Sequence, residues 1–160
     1  MPALRIGLIS DTHDLLRPEA AAALRGVDRI VHAGDICGPA VLAGLGAIAP
    51  VSAVRGNNDR GAWAAGLASL ERIELGGARL LVVHDLADLD VEASTPGPGV
   101  VVSGHSHRPS IATRGGVLYV NPGSAGPRRF ALPVALAELT IEAGAVSARI
   151  IELAAGGHRG

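Results

Sequence analysis

The apolar and polar positions of the first third of the chain alternate between short apolar runs and longer mixed segments. Each short run has the length and composition of a buried strand, and each mixed segment begins with a proline, which is common at the first position of a helix. The pattern predicts strands at 4–10, 28–34 and 51–55, and helices at 18–25 and 39–49. This order is typical of parallel strands joined by helical crossovers.

Beyond residue 70 the pattern changes to pairs of strands separated by glycine turns. Gly76-Gly77 and Gly115-Gly116 each divide two alternating segments, which is a hairpin signal, and a last hairpin is expected to turn at 142–145. Another apolar run, Val100–Ser103, ends at a glycine and predicts a buried strand. A parallel half followed by hairpins predicts an α/β fold of two packed sheets with helices outside.

Length and composition limit the classes of protein. The 160 residues predict a single domain at 1–160, with 153–160 as a frayed tail. The net charge of −1 and the scattered arginines argue against a protein that grips a long nucleic acid. No apolar run reaches the ~20 residues of a membrane span, so no membrane partner is expected. A single cysteine, Cys37, cannot form a disulfide framework within the chain, so we expect a reducing, cytoplasmic location. The sequence leaves open whether the protein forms a homo-oligomer.

Polar side chains that bind metals follow five of the predicted strands. They are Asp11 and His13, Asp35, the GNND segment 56–59, His84, and the pair His105 and His107. Each signal alone has an ordinary explanation: a helix cap at Asp35, a turn at 56–59 or a core histidine at 84. Because α/β folds place their sites at the carboxyl ends of strands, the combination favours a metal site.

The spacing of the histidine pair fits two metal ions. In extended chain, residues i and i+2 point the same way and lie ~6.6 Å apart. Two ions that share a ligand lie ~3.5–4 Å apart. We therefore expect His105 and His107 to reach one ion each, whereas Asp11 and His13 turn toward the same ion.

The ordered motifs DTH, GD, GNND, H and GHSH resemble those of the calcineurin-like metallophosphoesterases. The segment NPGSAGPR at 121–128 is similar to the compact YfcE-type microbial phosphodiesterase branch of that family. The resemblance spans residues 6–129. It implies an αββα sandwich of two mixed sheets flanked by helices, with a two-metal site at one edge.

The resemblance also implies the ligands. Those of the first metal are Asp11, His13, Asp35 and His107. Those of the second metal are the bridging Asp35 together with Asn57, His84 and His105. The family pattern, and not the spacing, selects Asn57 over its neighbour. The chain departs from the pattern at Asp85, where the compact branch often has glycine, and at Asn58, where larger families have a histidine proton donor. We therefore treat Asp35 and Asn58 as the candidate catalytic residues.

The expected chemistry follows from this ligand set. Carboxylate, imidazole and amide ligands suit manganese, iron, zinc, cobalt or nickel better than calcium or magnesium, and we expect two ions of manganese, with the other four metals as alternatives. A hydroxide that bridges the two ions is expected to hydrolyse a small phosphodiester, in preference to a monoester. The alternative is a non-catalytic or weakly catalytic scaffold, because a eukaryotic retromer subunit resembles the same fold. The complete ligand set favours the enzyme.

Several other residues have two readings. Trp63 could form a wall of the substrate pocket, but we prefer the interpretation that it packs into the core and fixes its loop there. Cys37 is expected to be a small packing residue, and His32 to pack beside the ligands. Asn121 is expected to shape the floor of the site. Arg128 contacts either a phosphate or solvent.

Overall fold

The structure, a computed structural model, describes residues 3–89, 99–128 and 131–153. The strands are β1 (Leu4–Ile9), β2 (Arg29–His32), β3 (Val51–Ala53), β4 (Leu70–Leu75), β5 (Ala78–Val83), β6 (Val100–Val102), β7 (Ser110–Arg114), β8 (Val117–Asn121), β9 (Ala135–Glu142) and β10 (Ala145–Glu152). The α-helices are α1 (Pro18–Ala23) and α2 (Pro39–Gly46), and single 3₁₀ turns lie at Ala62–Ala64 and Leu86–Asp88. Apart from residue 153, the predicted frayed tail lies outside the described residues.

The strands form two mixed five-stranded sheets. The first has the order β10-β9-β1-β2-β3, with β1, β2 and β3 parallel, as the strand–helix alternation predicts. The second has the order β4-β5-β6-β8-β7, with β5, β6 and β8 parallel. The predicted two-sheet α/β sandwich is therefore confirmed. The carboxyl ends of three neighbouring strands in one sheet and two in the other supply the ligand-bearing loops.

The central strand β1 is buried on both faces. Ile6 and Leu8 belong to the cluster between the two sheets, together with residues of β5, β6, β8 and β9. Ile9 belongs to a second cluster, in which Leu24 and Leu45 at the helices pack against the opposite face of the first sheet. Burial of both faces explains why β1 is a nearly continuous apolar run.

The three predicted hairpins are confirmed. Gly76-Gly77 joins β4 to β5, with φ of +57° and +85°, a left-handed conformation that glycine adopts without a steric penalty. Gly115-Gly116 joins β7 to β8 in the same way. The last hairpin turns at 143–144, inside the predicted interval, and pairs β9 with β10.

Several elements are shorter than predicted. Helix α1 ends at Ala23 and α2 ends at Gly46, whereas the pattern predicts ends near 25 and 49, and strand β2 spans Arg29–His32 where the pattern predicts 28–34. Pro50 disfavours helical backbone at the residue before it, so 47–49 continue only as a turn. Strand β3 ends at Ala53 because Arg55 donates to the Ala68 carbonyl and leaves the sheet. None of the helices in the described residues is long and apolar enough to cross a membrane.

Candidate metal centre

The loops that carry the predicted ligands meet at one edge of the sandwich. The loop after β1 is bonded to the loop after β2, because Asp11 N donates to Gly34 O and His13 N donates to Asp35 O, each at 3.0 Å. In the second sheet, Gly104 N donates to His84 O at 2.9 Å and so joins the loops after β5 and β6. Backbone hydrogen bonds therefore fix the positions of the ligand-bearing loops.

Five of the predicted ligands have left-handed backbone. The φ angles lie between +45° and +73° at Asp11, His13, Asp35, His105 and His107. Such angles are uncommon for residues other than glycine and are strained, and strain of this kind is concentrated at functional sites. The extended-chain geometry expected for the two histidines is therefore wrong, since left-handed turns and not alternation along a strand aim these side chains.

The Oδ1 atom of Asp11 lies at the centre of the site. It is 4.0 Å from His13 Nε2, 3.9 Å from His84 Nε2 and 3.5 Å from His107 Nε2. Its other oxygen, Oδ2, accepts from Ser10 Oγ at 2.7 Å and from His105 N at 3.1 Å. The protein therefore holds one oxygen of this carboxylate and leaves the other facing three imidazoles.

Asp35 lies between two of these histidines. Its Oδ2 is 3.8 Å from His13 Nε2 and 3.4 Å from His84 Nε2. Asn58 binds both oxygens of the carboxylate, because its backbone N donates to Oδ1 and its Nδ2 donates to Oδ2, each at 2.9 Å. The carboxylate is therefore oriented by Asn58 and lies beside two imidazoles.

The four histidines form two pairs. The His13 and His107 rings have centroids 5.3 Å apart, and the His84 and His105 rings have centroids 5.2 Å apart with an interplanar angle of 82°. The H-x-H pair therefore places one imidazole beside each of two other histidines. This is the same division as the one implied by the family resemblance.

The remaining predicted ligand, Asn57, is exposed. It lines an open cavity of ≈ 490 Å³ together with His84 and His105. Its neighbour Asn58, and not Asn57, contacts Asp35 in this structure. Three members of the second ligand set, Asn57, His84 and His105, therefore share one cavity, whereas the fourth, Asp35, is not among its lining residues.

Electrostatics distinguish the two central carboxylates. Burial raises the pKa of Asp11 to about 6, and the Ser10 hydroxyl opposes this shift only in part. Burial also acts to raise the pKa of Asp35, but His84 and the two Asn58 donors hold that pKa well below its usual range. At neutral pH both groups are ionised, so two buried negative charges need compensation by positive charge.

The donors fit divalent cations. Within the described residues, Asp11 Oδ1 and His84 Nε2 are buried without a hydrogen bond. Single ligand atoms of Asp11, His13 and His107 lie within 4.8 Å of one another, as do those of Asp11, Asp35 and His84. Buried polar atoms of native proteins normally have partners, and carboxylate with imidazole is a ligand set of transition metals. The residues present therefore fit the metals that the resemblance implies.

The comparisons with known proteins agree with this geometry. A family model described as "Calcineurin-like phosphoesterase superfamily domain" matches residues 4–144. The chain belongs to this superfamily. It is also 34% identical over 162 residues to a "Probable metallophosphoesterase" of Methanothermobacter thermautotrophicus, covering 94% of this chain and 93% of the relative. Metal dependence is a property of the family.

Solved structures share the phosphoesterase fold. One, titled "Structural and Functional Characterization of a Novel Archaeal Phosphodiesterase", has a TM-score of 0.77 at 22% identity and covers 92% of this chain and all of its own. Vacuolar Protein Sorting 29 from Cryptosporidium parvum has a TM-score of 0.75 at 17% identity, with coverage of 94% and 97%. At these identities the likeness shows the fold alone.

Sequence reasoning assigned no role to Asp59 in the phosphoesterase site. This buried carboxylate accepts from Gly56 N at 2.8 Å, Asp35 N at 2.9 Å and Cys37 N at 2.7 Å. It thereby fixes the loop after β3 to the loop after β2. Asp59 is the last residue of the GNND motif, which was the sequence signal for its role. A carboxylate that binds only backbone N–H groups cannot, however, be recognised without the fold.

Two other features also became visible only in the fold. Ser10 orients Asp11, as described above, and Gly104 allows the loop after β6 to approach both residues. A Cβ at Gly104 would overlap Ser10 Oγ and would lie 2.7 Å from Asp11 Oδ2. Glycine is therefore required there by close approach.

The structure also shows the contacts of the residues for which the sequence allowed two interpretations. His32 is buried against Thr12 Oγ1 at 3.0 Å, and burial lowers its pKa to about 3, so it is neutral. Asn121 Nδ2 donates to Gly104 O at 3.0 Å and so supports the floor of the site. Trp63 packs against the helix-side core, and Arg128 Nε donates to Leu132 O at 3.3 Å.

Cys37 lies beside the site with its Sγ 3.6 Å from His13 Nδ1. Burial raises the pKa of this thiol to about 11, with nearby carboxylates acting in the same direction. A neutral thiol is a poor metal ligand. Cys37 is half-buried beside the site, and the buried packing role expected from the sequence stays a prediction.

Proposed function

We propose that this phosphoesterase is a dinuclear, metal-dependent phosphodiesterase that acts on small phosphodiesters. The observation that carries the proposal is the convergence of three histidine Nε2 atoms on Asp11 Oδ1, within 4.0 Å, with Asp35 beside two of them. Few arrangements other than a metal centre make use of so many buried ligand atoms.

The residues divide between two ions in this proposal. Asp11, His13, Asp35 and His107 hold the first, and Asp35, Asn57, His84 and His105 hold the second. We propose manganese as the metal, with iron, zinc, cobalt and nickel as alternatives. When bound, two such ions supply Lewis acidity and an activated water for attack on phosphorus.

The chain's own residues define the rest of the chemistry. Asn58 fixes both oxygens of Asp35 and thereby orients the shared ligand. An amide does not ionise near neutral pH, so Asn58 cannot give a proton to the departing oxygen. We therefore infer that the enzyme prefers substrates whose leaving group is acidic, such as aryl diesters.

The substrate class follows from the cavity and the charge. The cavity beside Asn57, His84 and His105 is open, at ≈ 490 Å³, which suits a small diester. The net charge is −1 and the chain has three aromatic residues, which is unlike a nuclease with a stacking track. The archaeal phosphodiesterase with the same fold supports this interpretation.

The free Cys37 supports a reducing compartment, and we propose that the protein is located in the cytoplasm.

The second candidate is a protein-interaction scaffold with little or no catalysis. It is favoured by the fold likeness to Vacuolar Protein Sorting 29, whose TM-score of 0.75 is close to that of the archaeal phosphodiesterase. The seven filled ligand positions argue for the enzyme, because a scaffold has no need of strained, buried ligands.

Metal analysis and kinetics together test the proposal. Protein stripped with chelator and reloaded with Mn²⁺ is expected to bind two ions per chain and to hydrolyse bis-p-nitrophenyl phosphate. The double variant H84A/H107A, which removes one histidine from each set, is the inactive control. Two bound ions without hydrolysis of any diester tested would favour the scaffold, and fewer than two at saturating metal would contradict the dinuclear centre.

A further inference from the structure

The residue after the ligand His84 is an aspartate whose side chain lies beside the opposite histidine. Asp85 Oδ2 is 3.6 Å from His105 Nε2, and Asp85 Oδ1 accepts from Ala87 N at 3.0 Å. The second bond caps the 3₁₀ turn Leu86–Asp88 and fixes the orientation of the carboxylate. One strand end, that of β5, therefore supplies both a predicted ligand and a carboxylate for another.

The two histidines of this pair are held through different nitrogens. His84 Nδ1 is 2.8 Å from the Ala33 carbonyl, so that nitrogen carries the proton and Nε2 faces Asp11 and Asp35. In His105 the nitrogen next to an acceptor is Nε2. A carboxylate at this position stabilises a proton on Nε2 and leaves the lone pair on Nδ1.

His105 is the histidine of the site that most needs such support. Its side chain is 48% exposed, whereas those of His84 and His107 are 6% and 9% exposed. An exposed imidazole with free rotation loses conformational entropy when it binds a metal. A carboxylate that fixes its tautomer and its ring orientation reduces this loss.

We propose that Asp85 is a positioning residue that presents His105 Nδ1 to the second metal ion. The proposal rests on the dinuclear function above. In this proposal the exposed half of the metal centre, which we expect to bind its ion more weakly, has a supporting carboxylate in addition to its predicted ligands. Loss of this support lowers affinity for one ion and spares the other.

Calorimetric titration of the chelator-stripped protein with Mn²⁺ tests the metal side. The native protein is expected to show two binding steps. D85N retains an N-cap residue for the turn but removes the charge, and we expect the weaker step to weaken by ~10–100-fold with the tighter step unchanged. D88N, which removes one negative charge from the same turn, controls for net charge and is expected to change that step less than twofold.

A double-mutant cycle separates this role from a structural one. In the H105A background, D85N is expected to have no further effect on either step, because its action passes through His105. Equal losses from D85N with and without His105, or an unchanged weaker step in D85N alone, would overturn the proposal. A single step in the native protein would instead contradict the dinuclear function.

Nitrogen chemical shifts of the imidazoles provide a readout without metal. In metal-free native protein at a pH where His105 is neutral, we expect its proton on Nε2, and we expect D85N to move the population toward the other tautomer. A His105 proton on Nδ1 in the native protein, or identical spectra in both proteins, would contradict the assignment.

Discussion

The two halves of the metal centre differ in how firmly the protein holds their ligands. In the buried half, Asp11, His13 and His107 have side chains that are 0%, 12% and 9% exposed. In the open half, His84 is only 6% exposed, but His105 is 48% exposed and Asn57 lies at the wall of a cavity. Rigid, desolvated ligands bind without much loss of entropy, whereas exposed ligands leave room for a substrate. In the metal centre that we propose, the buried half therefore suits a structural role, and the exposed residues of the open half suit contact with the substrate.

Backbone hydrogen bonds explain the same asymmetry. The loop after β1 is bonded to the loop after β2 on one side and receives the His105 N–H on the other. Asp59 then fixes the loop after β2 to the loop after β3. In the open half, His84 Nδ1 is 2.8 Å from the Ala33 carbonyl, whereas the exposed His105 has Asp85 as its neighbour, in the role that we propose for that carboxylate. We expect the two halves to respond differently to substitution.

Replacement of the shared carboxylate is expected to have the largest effect. Asp35→Asn weakens both halves at once, so we expect diester hydrolysis to fall by more than ~10²-fold, beyond the usual cost of an indirect partner. Steady-state kinetics with bis-p-nitrophenyl phosphate at saturating Mn²⁺ measures this loss. Glu19→Gln, an equal change of charge on α1, is the control and should leave the rate unchanged. A loss below tenfold would show that Asp35 is not shared.

The H-x-H pair allows a matched comparison of the two halves. His107→Ala is expected to weaken the tighter binding step by ~10²-fold, because it opens the buried set. His105→Ala is expected to weaken only the weaker step, by ~10²-fold, because loss of the ligand must cost at least as much as loss of the carboxylate that positions it. Titration with Mn²⁺ measures both steps. Equal effects of the two substitutions on the same step would break the division into halves.

Asn58 tests whether the open half determines substrate preference. We expect hydrolysis rates to depend steeply on leaving-group pKa, since general acid catalysis is typically worth ~10²–10⁴-fold and an amide supplies none. Asn58→His keeps the backbone donor to Asp35 and should help alkyl diesters more than aryl diesters, by ~10-fold or more. Rates across a series of diesters measure the slope. A flat slope in the native enzyme, with chemistry rate-limiting, would contradict this role.

Stability without metal is the mildest test of the buried half. The folded-state pKa of Asp11 is about 6, above the ordinary value of 3.8, so the folded chain binds more protons between these two values. The contribution of Asp11 to the stability of metal-free protein should therefore fall as pH rises from ~4 to ~6 and stay unfavourable above that range, whereas the buried His32, whose pKa is lowered to about 3, contributes in the opposite direction. Asp11→Asn is expected to gain on the order of 2 kcal/mol at pH 7 in the metal-free state, and to flatten this dependence.

Urea unfolding of metal-free protein at several pH values checks this expectation. His105→Ala is the comparison variant, because it removes a ligand from the open half and should change the free energy of unfolding by less than ~0.5 kcal/mol. If Asp11→Asn proved less stable than the native chain at pH 7 without metal, burial of this carboxylate would not be the destabilising feature that its pKa indicates.

The sequence by itself predicted the types of the candidate ligands, their order and the strand ends that carry them. These features are local: an apolar run ends, and a carboxylate or an imidazole follows it. The glycine pairs at 76–77 and 115–116 predicted hairpins for the same reason, because glycine is favoured wherever φ must be positive. The ends of α1 and α2 were less predictable, since a weak helix ends where its packing ends.

Only the tertiary structure decided how the ligands are presented. The sequence could not show that His105 N binds Asp11 Oδ2, across 94 residues of chain, and so leaves Oδ1 to the histidines. Nor could it show that five ligands turn through left-handed backbone, or that Asp59 and Asp85 act on their neighbours. Local patterns set which groups a strand end carries, but the free oxygen or nitrogen of each group depends on partners that folding brings from distant parts of the chain.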